Sequence, residues 1–192
     1  MTTLGLIRHG STPWNQEKRA QGNSDIPLDD QGIREAQKLA DRLFHESWEI
    51  IYSSPLKRAK QTAEVIAERL DIDEIDFDQR IKEVAGGQIE GTTEDERIEK
   101  WGDDWRDLDL GIEQQPSVIK RGTSFIKEII EKHPNQRVLI VSHGSFIGHL
   151  VQVLDASFKE DKKLDNTSVT TLNKADEKWI CDLYNCTKHL AY

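Results

Sequence analysis

Three short stretches hold residue types that can act together chemically. Arg8-His9-Gly10 follows the apolar run Leu4-Gly5-Leu6-Ile7, and Ser142-His143-Gly144 follows Val138-Leu139-Ile140-Val141. Between them, Ile50-Ile51-Tyr52-Ser53 leads into Ser54-Pro55-Leu56-Lys57-Arg58. Short apolar runs bounded by polar residues read as buried strands. In an open α/β sheet, ligands bind just beyond the carboxyl ends of the strands. Arg8, His9, Arg58 and His143 are therefore expected along one rim. A permanent guanidinium charge beside an imidazole suits an anionic substrate attacked by a ring nitrogen.

A chain of 192 residues suits a single domain spanning 1–192 and is long enough for one hydrophobic core. Its net charge of −9 argues against general binding to nucleic acid or anionic membranes. An anionic ligand must then find a local positive spot, which raises the value of Arg8 and Arg58. No run of about 20 apolar residues is present, so no membrane span is expected. The N-terminus enters a strand directly, without a basic and then apolar leader, and a cytoplasmic protein is expected. Cys181 and Cys186 lack zinc-site partners and read as two reduced thiols.

The elements that must position these residues follow from periodicity. Residues 10–28 form a long polar loop, in which Asn15 and Gln21 are neutral donors for phosphate or substrate oxygens. Asp30 to Glu46 has helical spacing, with Ile33, Ala36, Leu39, Ala40, Leu43 and Phe44 inward and Asp29 or Asp30 as cap. Glu49–Ser53 is a strand. Ser54 then reads as an N-cap with Pro55 at the first helical position, on a helix running to Leu70. Arg58 falls near its first turn, where the helix dipole disfavours a cation unless an anion lies close by.

Residues 71–91 read as loop. In the acidic stretch 92–115, Trp101, Trp105 and Leu108 have the spacing of one helical face. That segment is either a solvated helix packed by its tryptophans or a lid with an apolar underside. Pro116–His133 and Gly144–Leu154 read as helices, the second with its N-terminal amides toward an anion. His149 on that helix reads as packed or surface. Ser168–Leu172 and Lys178–Leu183 read as a hairpin around residues 174–177, whose apolar strands can pair in a homodimer.

These motifs resemble the histidine phosphatase superfamily, also called phosphoglycerate mutase-like. The resemblance rests on Arg8-His9-Gly10, Trp14-Asn15, Gln21-Gly22 with Asp25-Ile26-Pro27-Leu28, the run Ser54 to Ala63, Glu83 with Gly87 and Glu90-Gly91, and Ser142-His143-Gly144, in that order. Ile89 stands where many relatives have an aromatic residue, and Ser11 where many have Glu or Gln.

The resemblance implies a three-layer α/β/α sandwich around a mostly parallel sheet. It implies a phosphatase acting on a small phosphorylated metabolite without cofactor or metal. His9 would be the nucleophile, Glu83 the acid–base residue, and Arg8, Arg58 and His143 the partners of the phosphoryl oxygens. Gly10, Asn15, Gln21, Gly22, Gly144 and Ser145 would add substrate contacts. A zinc site on His9, His143 and Glu83 is disfavoured by the two arginines, which repel a dication. The alternatives are a cofactor-dependent phosphoglycerate mutase and a non-catalytic module that binds phospho-ligands. The acidic stretch 92–115 is expected to disfavour a doubly anionic ligand, and so the mutase.

Overall fold

The computed structural model describes residues 1–159, 162–176 and 178–191. Its sheet has six strands: β1 Thr2–Arg8, β2 Ile50–Ser53, β3 Ile75–Phe77, β4 Arg137–Ser142, β5 Val169–Ala175 and β6 Lys178–Cys186. They lie in the order β3-β2-β4-β1-β5-β6. β3, β2, β4 and β1 are parallel, while β5 and then β6 add antiparallel at one edge. The helices are α1 Pro13–Gln16, α2 Asp30–Leu43, α3 Lys57–Leu70, α4 Glu94–Trp101, α5 Gln115–Lys132 and α6 Gly144–Leu154.

Alternation along the central strands sorts their side chains into two layers. Leu4, Leu6, Tyr52, Val138 and Ile140 pack with Phe125, Ile126, Phe146 and Ile147 of α5 and α6. Ile7, Ile51, Leu139 and Val141 face the other way, onto Leu39, Leu43, Ala59, Ala63 and Ile66 of α2 and α3. Strands buried on both faces need the near-continuous apolar runs seen in the sequence. This is the expected three-layer sandwich with a mostly parallel sheet.

Several local expectations change. α2 ends at Leu43, and Ile33 and Phe44 are 38% and 50% exposed. Its buried arc runs through residues 32, 35, 36, 39, 40 and 43, one position off Ile33. Phe44 lies past the last turn, with the Arg69 guanidinium 3.8 Å from its ring centre. α3 begins at Lys57 rather than Pro55, with Leu56 as N-cap and no side-chain cap. Residues 71–91 hold β3 and two 3-10 turns.

In 92–115 the helix stops at Gly102, whose φ of +86° favours glycine. A 3-10 turn follows at Trp105–Asp107, so the single face is broken: Trp105 is buried but Leu108 is exposed. β5 continues through Ala175, which shortens the expected turn, and Glu177 lies outside the described residues. Among the described residues, no helix is long and apolar enough to cross a membrane.

Candidate active site

Strand register places the first residues of the site. Arg8 pairs with Ser142, and Ser53 pairs with Val141. One step beyond, the His9 amide donates to the Ser142 carbonyl (3.0 Å) and the Ser54 amide to the Val141 carbonyl (2.9 Å). His9, His143 and Ser54 therefore stand side by side where three parallel strands end. The two imidazole centres are 5.3 Å apart. His143 Nε2 and Ser54 Oγ share a 2.8 Å hydrogen bond, so the hydroxyl expected to cap α3 holds an imidazole instead.

His9 Nδ1 lies 2.7 Å from the Gly10 carbonyl. A carbonyl only accepts, so Nδ1 carries the hydrogen and Nε2 keeps its lone pair. Burial first, then the Arg58 and Arg8 charges, hold His9 well below the usual imidazole range, and the ring is neutral. His143 is lowered in the same direction by burial and then Arg58.

The two arginines are both buried and only partly satisfied. Arg58, the second residue of α3, donates from Nη1 to the Ser24 carbonyl and from Nη2 to the Gly22 carbonyl, each at 2.7 Å. Burial lowers its pKa to about 10. Arg8 donates from Nη1 to the Leu164 carbonyl. Burial lowers its pKa also, against the opposing pull of Glu83.

Among the described residues, six buried side-chain polar atoms have no partner, and four belong to this site: Arg8 Nε, Arg58 Nε, His143 Nδ1 and Gln21 Oε1. An unpaired buried polar atom costs about 1–3 kcal/mol, so such a cluster marks a place where a ligand supplies the missing partners.

Glu83 sits opposite. Its Oε1 accepts from the Val84 and Phe146 amides, each at 2.9 Å, and its Oε2 from the Ser145 amide at 3.2 Å. The N-terminal amides of α6, expected to face a bound anion, thus hold the carboxylate of Glu83. The fork of Arg121 ties the Glu83 backbone in place, donating to its carbonyl at 3.1 Å while pairing with Glu113.

The loop residues divide. Gly10 is absent from the cavity wall and is required by packing: a Cβ there would stand 2.6 Å from the Gly32 carbonyl oxygen of α2. Gly22 (φ +50°) has a backbone that favours glycine, and its carbonyl serves Arg58. Asn15 lies on the wall, but its Oδ1 accepts from the Thr12 amide (3.1 Å) in the capping box that starts α1. Gln21, Gly144 and Ser145 also line the wall.

The whole forms a cavity of about 570 Å³, with Arg8, His9, Arg58 and Glu83 on its wall; His143, expected there as a partner of the phosphoryl oxygens, is fully buried and is not part of that wall. Of residues 92–115, Ile112 alone reaches that wall. The acidic stretch therefore does not set the charge of the cavity, and the expectation that it disfavours a doubly anionic ligand falls.

Other wall residues carry no sequence signal: Lys162, Lys163 and Leu164 from the loop before β5, Tyr184 on β6, and His149 and Gln152 on α6. Asn166 was also missed. Its Nδ2 donates to the His9 carbonyl (2.9 Å) and to Asn15 Oδ1 (3.3 Å). The next amide, Thr167, donates to the Arg8 carbonyl at 3.0 Å. The only available hint was a polar run, Asp165-Asn166-Thr167-Ser168, directly preceding a strand. Among the described residues, no group of three or more His, Cys, Asp or Glu side chains is placed to hold a metal ion.

The comparisons with known proteins agree with this architecture. The chain is 35% identical over 193 residues to an uncharacterized phosphatase, PhoE, of Bacillus subtilis, covering all of this chain and 98% of that one. Its fold matches Bacillus stearothermophilus YhfR with a TM-score of 0.87 at 29% identity, covering 98% of this chain and 99% of that one. It also matches a phosphoserine phosphatase of Entamoeba histolytica, solved with phosphoserine, with a TM-score of 0.84 at 30% identity, covering 99% and 100%. The family model for branch 1 of the histidine phosphatase superfamily matches residues 4–187, and the chain belongs to that superfamily.

Proposed function

We propose that this protein is a metal-independent phosphatase that hydrolyses small phosphate monoesters through a phosphohistidine on His9. One observation carries the reading: a neutral imidazole, fixed by the Gly10 carbonyl, keeps its Nε2 lone pair in a cavity walled by two buried arginines and a carboxylate. In the first step, Nε2 bonds to phosphorus as the ester P–O bond breaks, and Glu83 gives its proton to the leaving oxygen. In the second, water attacks phosphorus, Glu83 takes the water proton, and the N–P bond breaks with its electron pair returning to Nε2. Arg8 and Arg58 offer their free Nε donors to the phosphoryl oxygens, preorganised and dry. His143 packs against this group, its ring centre 5.3 Å from that of His9. Phosphoserine, which the Entamoeba relative binds, is the kind of small ester this reading admits.

A phosphoglycerate mutase would use the same first step and return the phosphoryl group to a second hydroxyl. An assay with 3-phosphoglycerate and bisphosphoglycerate separates it from a phosphatase, and hydrolysis of p-nitrophenyl phosphate separates both from a binding module. The direct test is rapid-quench labelling with a 32P-labelled ester. The wild type is expected to trap acid-labile, base-stable 32P on protein, and His9→Ala to trap none and lose turnover by about 10⁴-fold or more. Undiminished labelling of His9→Ala would refute His9 as nucleophile.

A further inference from the structure

The phosphoryl site occupies one end of a cavity in the size range that holds drug-sized ligands. The rest has walls of another character. On one side α6 lines it through Gly144, Gly148 and Gln152, spaced four residues apart. At 1.5 Å per residue, that stripe runs about 12 Å outward from the phosphoryl end. Gly148 keeps the lane open, since a Cβ there would meet nothing within 4 Å.

Lys162 and Lys163 also line this cavity. They directly precede Leu164, whose carbonyl is held by the Arg8 guanidinium, so their Cα atoms lie within about 4–8 Å of the Leu164 Cα. Their backbone is anchored to β6: the Lys162 carbonyl accepts from the Tyr184 hydroxyl (2.8 Å) and the Lys163 carbonyl from Asn185 Nδ2 (3.4 Å). Both side chains are exposed, and neither ammonium has an ion-pair partner among the described residues. Arg19, the other outer cation on the wall, is already paired with Glu17 and Glu96 at 2.6 Å. Glu83 is the one carboxylate on the described wall, and backbone amides occupy it. In a chain of net charge −9, this wall carries the opposite sign to the average surface.

We infer that Lys162 and Lys163 form a subsite for a second anionic group on the leaving alcohol. The preferred substrate is then a phosphomonoester that also bears a carboxylate or a second phosphate beyond the scissile ester. This rests on the phosphatase reading of the inner site. Exposed ammoniums contribute modestly, so together they are expected to give roughly tenfold selectivity, weakened by salt.

The test compares matched esters on the wild type and on Lys162→Gln/Lys163→Gln. O-phosphoserine against O-phosphoethanolamine isolates the carboxylate, and fructose 1,6-bisphosphate against fructose 6-phosphate isolates the second phosphate. The wild type is expected to favour the more anionic member of one pair by about tenfold in kcat/KM, and that pair names the group. The double variant should lose most of that ratio, as should the wild type in 0.5 M salt, a second readout that needs no variant. Equal kcat/KM within both pairs, or a ratio unmoved by both the variant and salt, overturns the subsite. If p-nitrophenyl phosphate is still hydrolysed in that case, the phosphatase reading stands and only the subsite falls. If p-nitrophenyl phosphate is not hydrolysed, both fall.

Discussion

At the inner end of the cavity, His9, Arg8 and Arg58 are 3%, 8% and 0% exposed and are each held by a backbone carbonyl. At the outer end, Lys162 and Lys163 are exposed on a loop that meets the inner end through its following residues Leu164, Asn166 and Thr167. The same type of charge does different work in the two places. Where water is excluded, an arginine donor acts at full strength and does not reorganise, which suits a transition state. Where water is present, an ammonium is screened and mobile, so it selects ligands by small factors. On the proposed reading, the buried end carries the chemistry and the wet end the choice of substrate.

The largest effect that tests this contrast is expected at Arg58. Arg58→Gln removes a buried charge and loosens the Gly22 and Ser24 carbonyls, and kcat/KM for p-nitrophenyl phosphate should fall by about 10³-fold. A loss below tenfold in steady-state assays would break the assignment of strength to burial. Next comes Glu83→Gln, expected to cost about 10²–10³-fold for an alkyl phosphate but only a few-fold for p-nitrophenyl phosphate, whose leaving group needs no proton. Equal losses for the two esters would remove Glu83 from proton transfer.

Asn166 lies between the two ends and sharpens the boundary. Asn166→Ala removes the shorter of two hydrogen bonds to the His9 carbonyl, leaving the Thr167 amide at 3.3 Å, and is expected to lower kcat by about tenfold while leaving KM nearly unchanged. A rise in KM with constant kcat would place Asn166 in binding rather than in positioning.

The smallest effect is on stability. His189, which meets Thr167 at 3.1 Å, has its pKa lowered from 6.5 to about 4, first by burial and then by Arg42. Between those values the unfolded chain binds a proton that the folded chain refuses, so stability falls as pH drops from 6.5 toward 4. His9 and His143 act with the same sign. The urea midpoint should therefore decline over that interval, and less steeply in His189→Gln. An unchanged slope in the variant would show that His189 does not contribute to it.

The catalytic candidates were legible because each sits at the end of an apolar run, where strand register alone puts neighbours together: His143 stands between His9 and Ser54. Arg58 was legible as a cation in an unfavourable first turn. What answers it inside the chain, two loop carbonyls of Gly22 and Ser24, was not, because those atoms belong to a backbone path with no periodicity. The amides of α6 were read as an anion site, but the anion they meet within the chain is Glu83, brought from a loop sixty residues earlier. The acidic stretch 92–115 misled for a related reason: charge in sequence says nothing about which face of a segment meets a cavity.

Apolar runs and their polar ends thus determined the buried strands and the rim where Arg8, His9 and His143 gather, while the three-layer arrangement came with the family resemblance carried by the motifs. Only the folded chain decided which loops close over that rim. Loop paths follow from many weak side-chain and backbone contacts between distant residues, and no local pattern records them. That is why Lys162, Lys163 and Asn166 emerged from the coordinates and not from the letters.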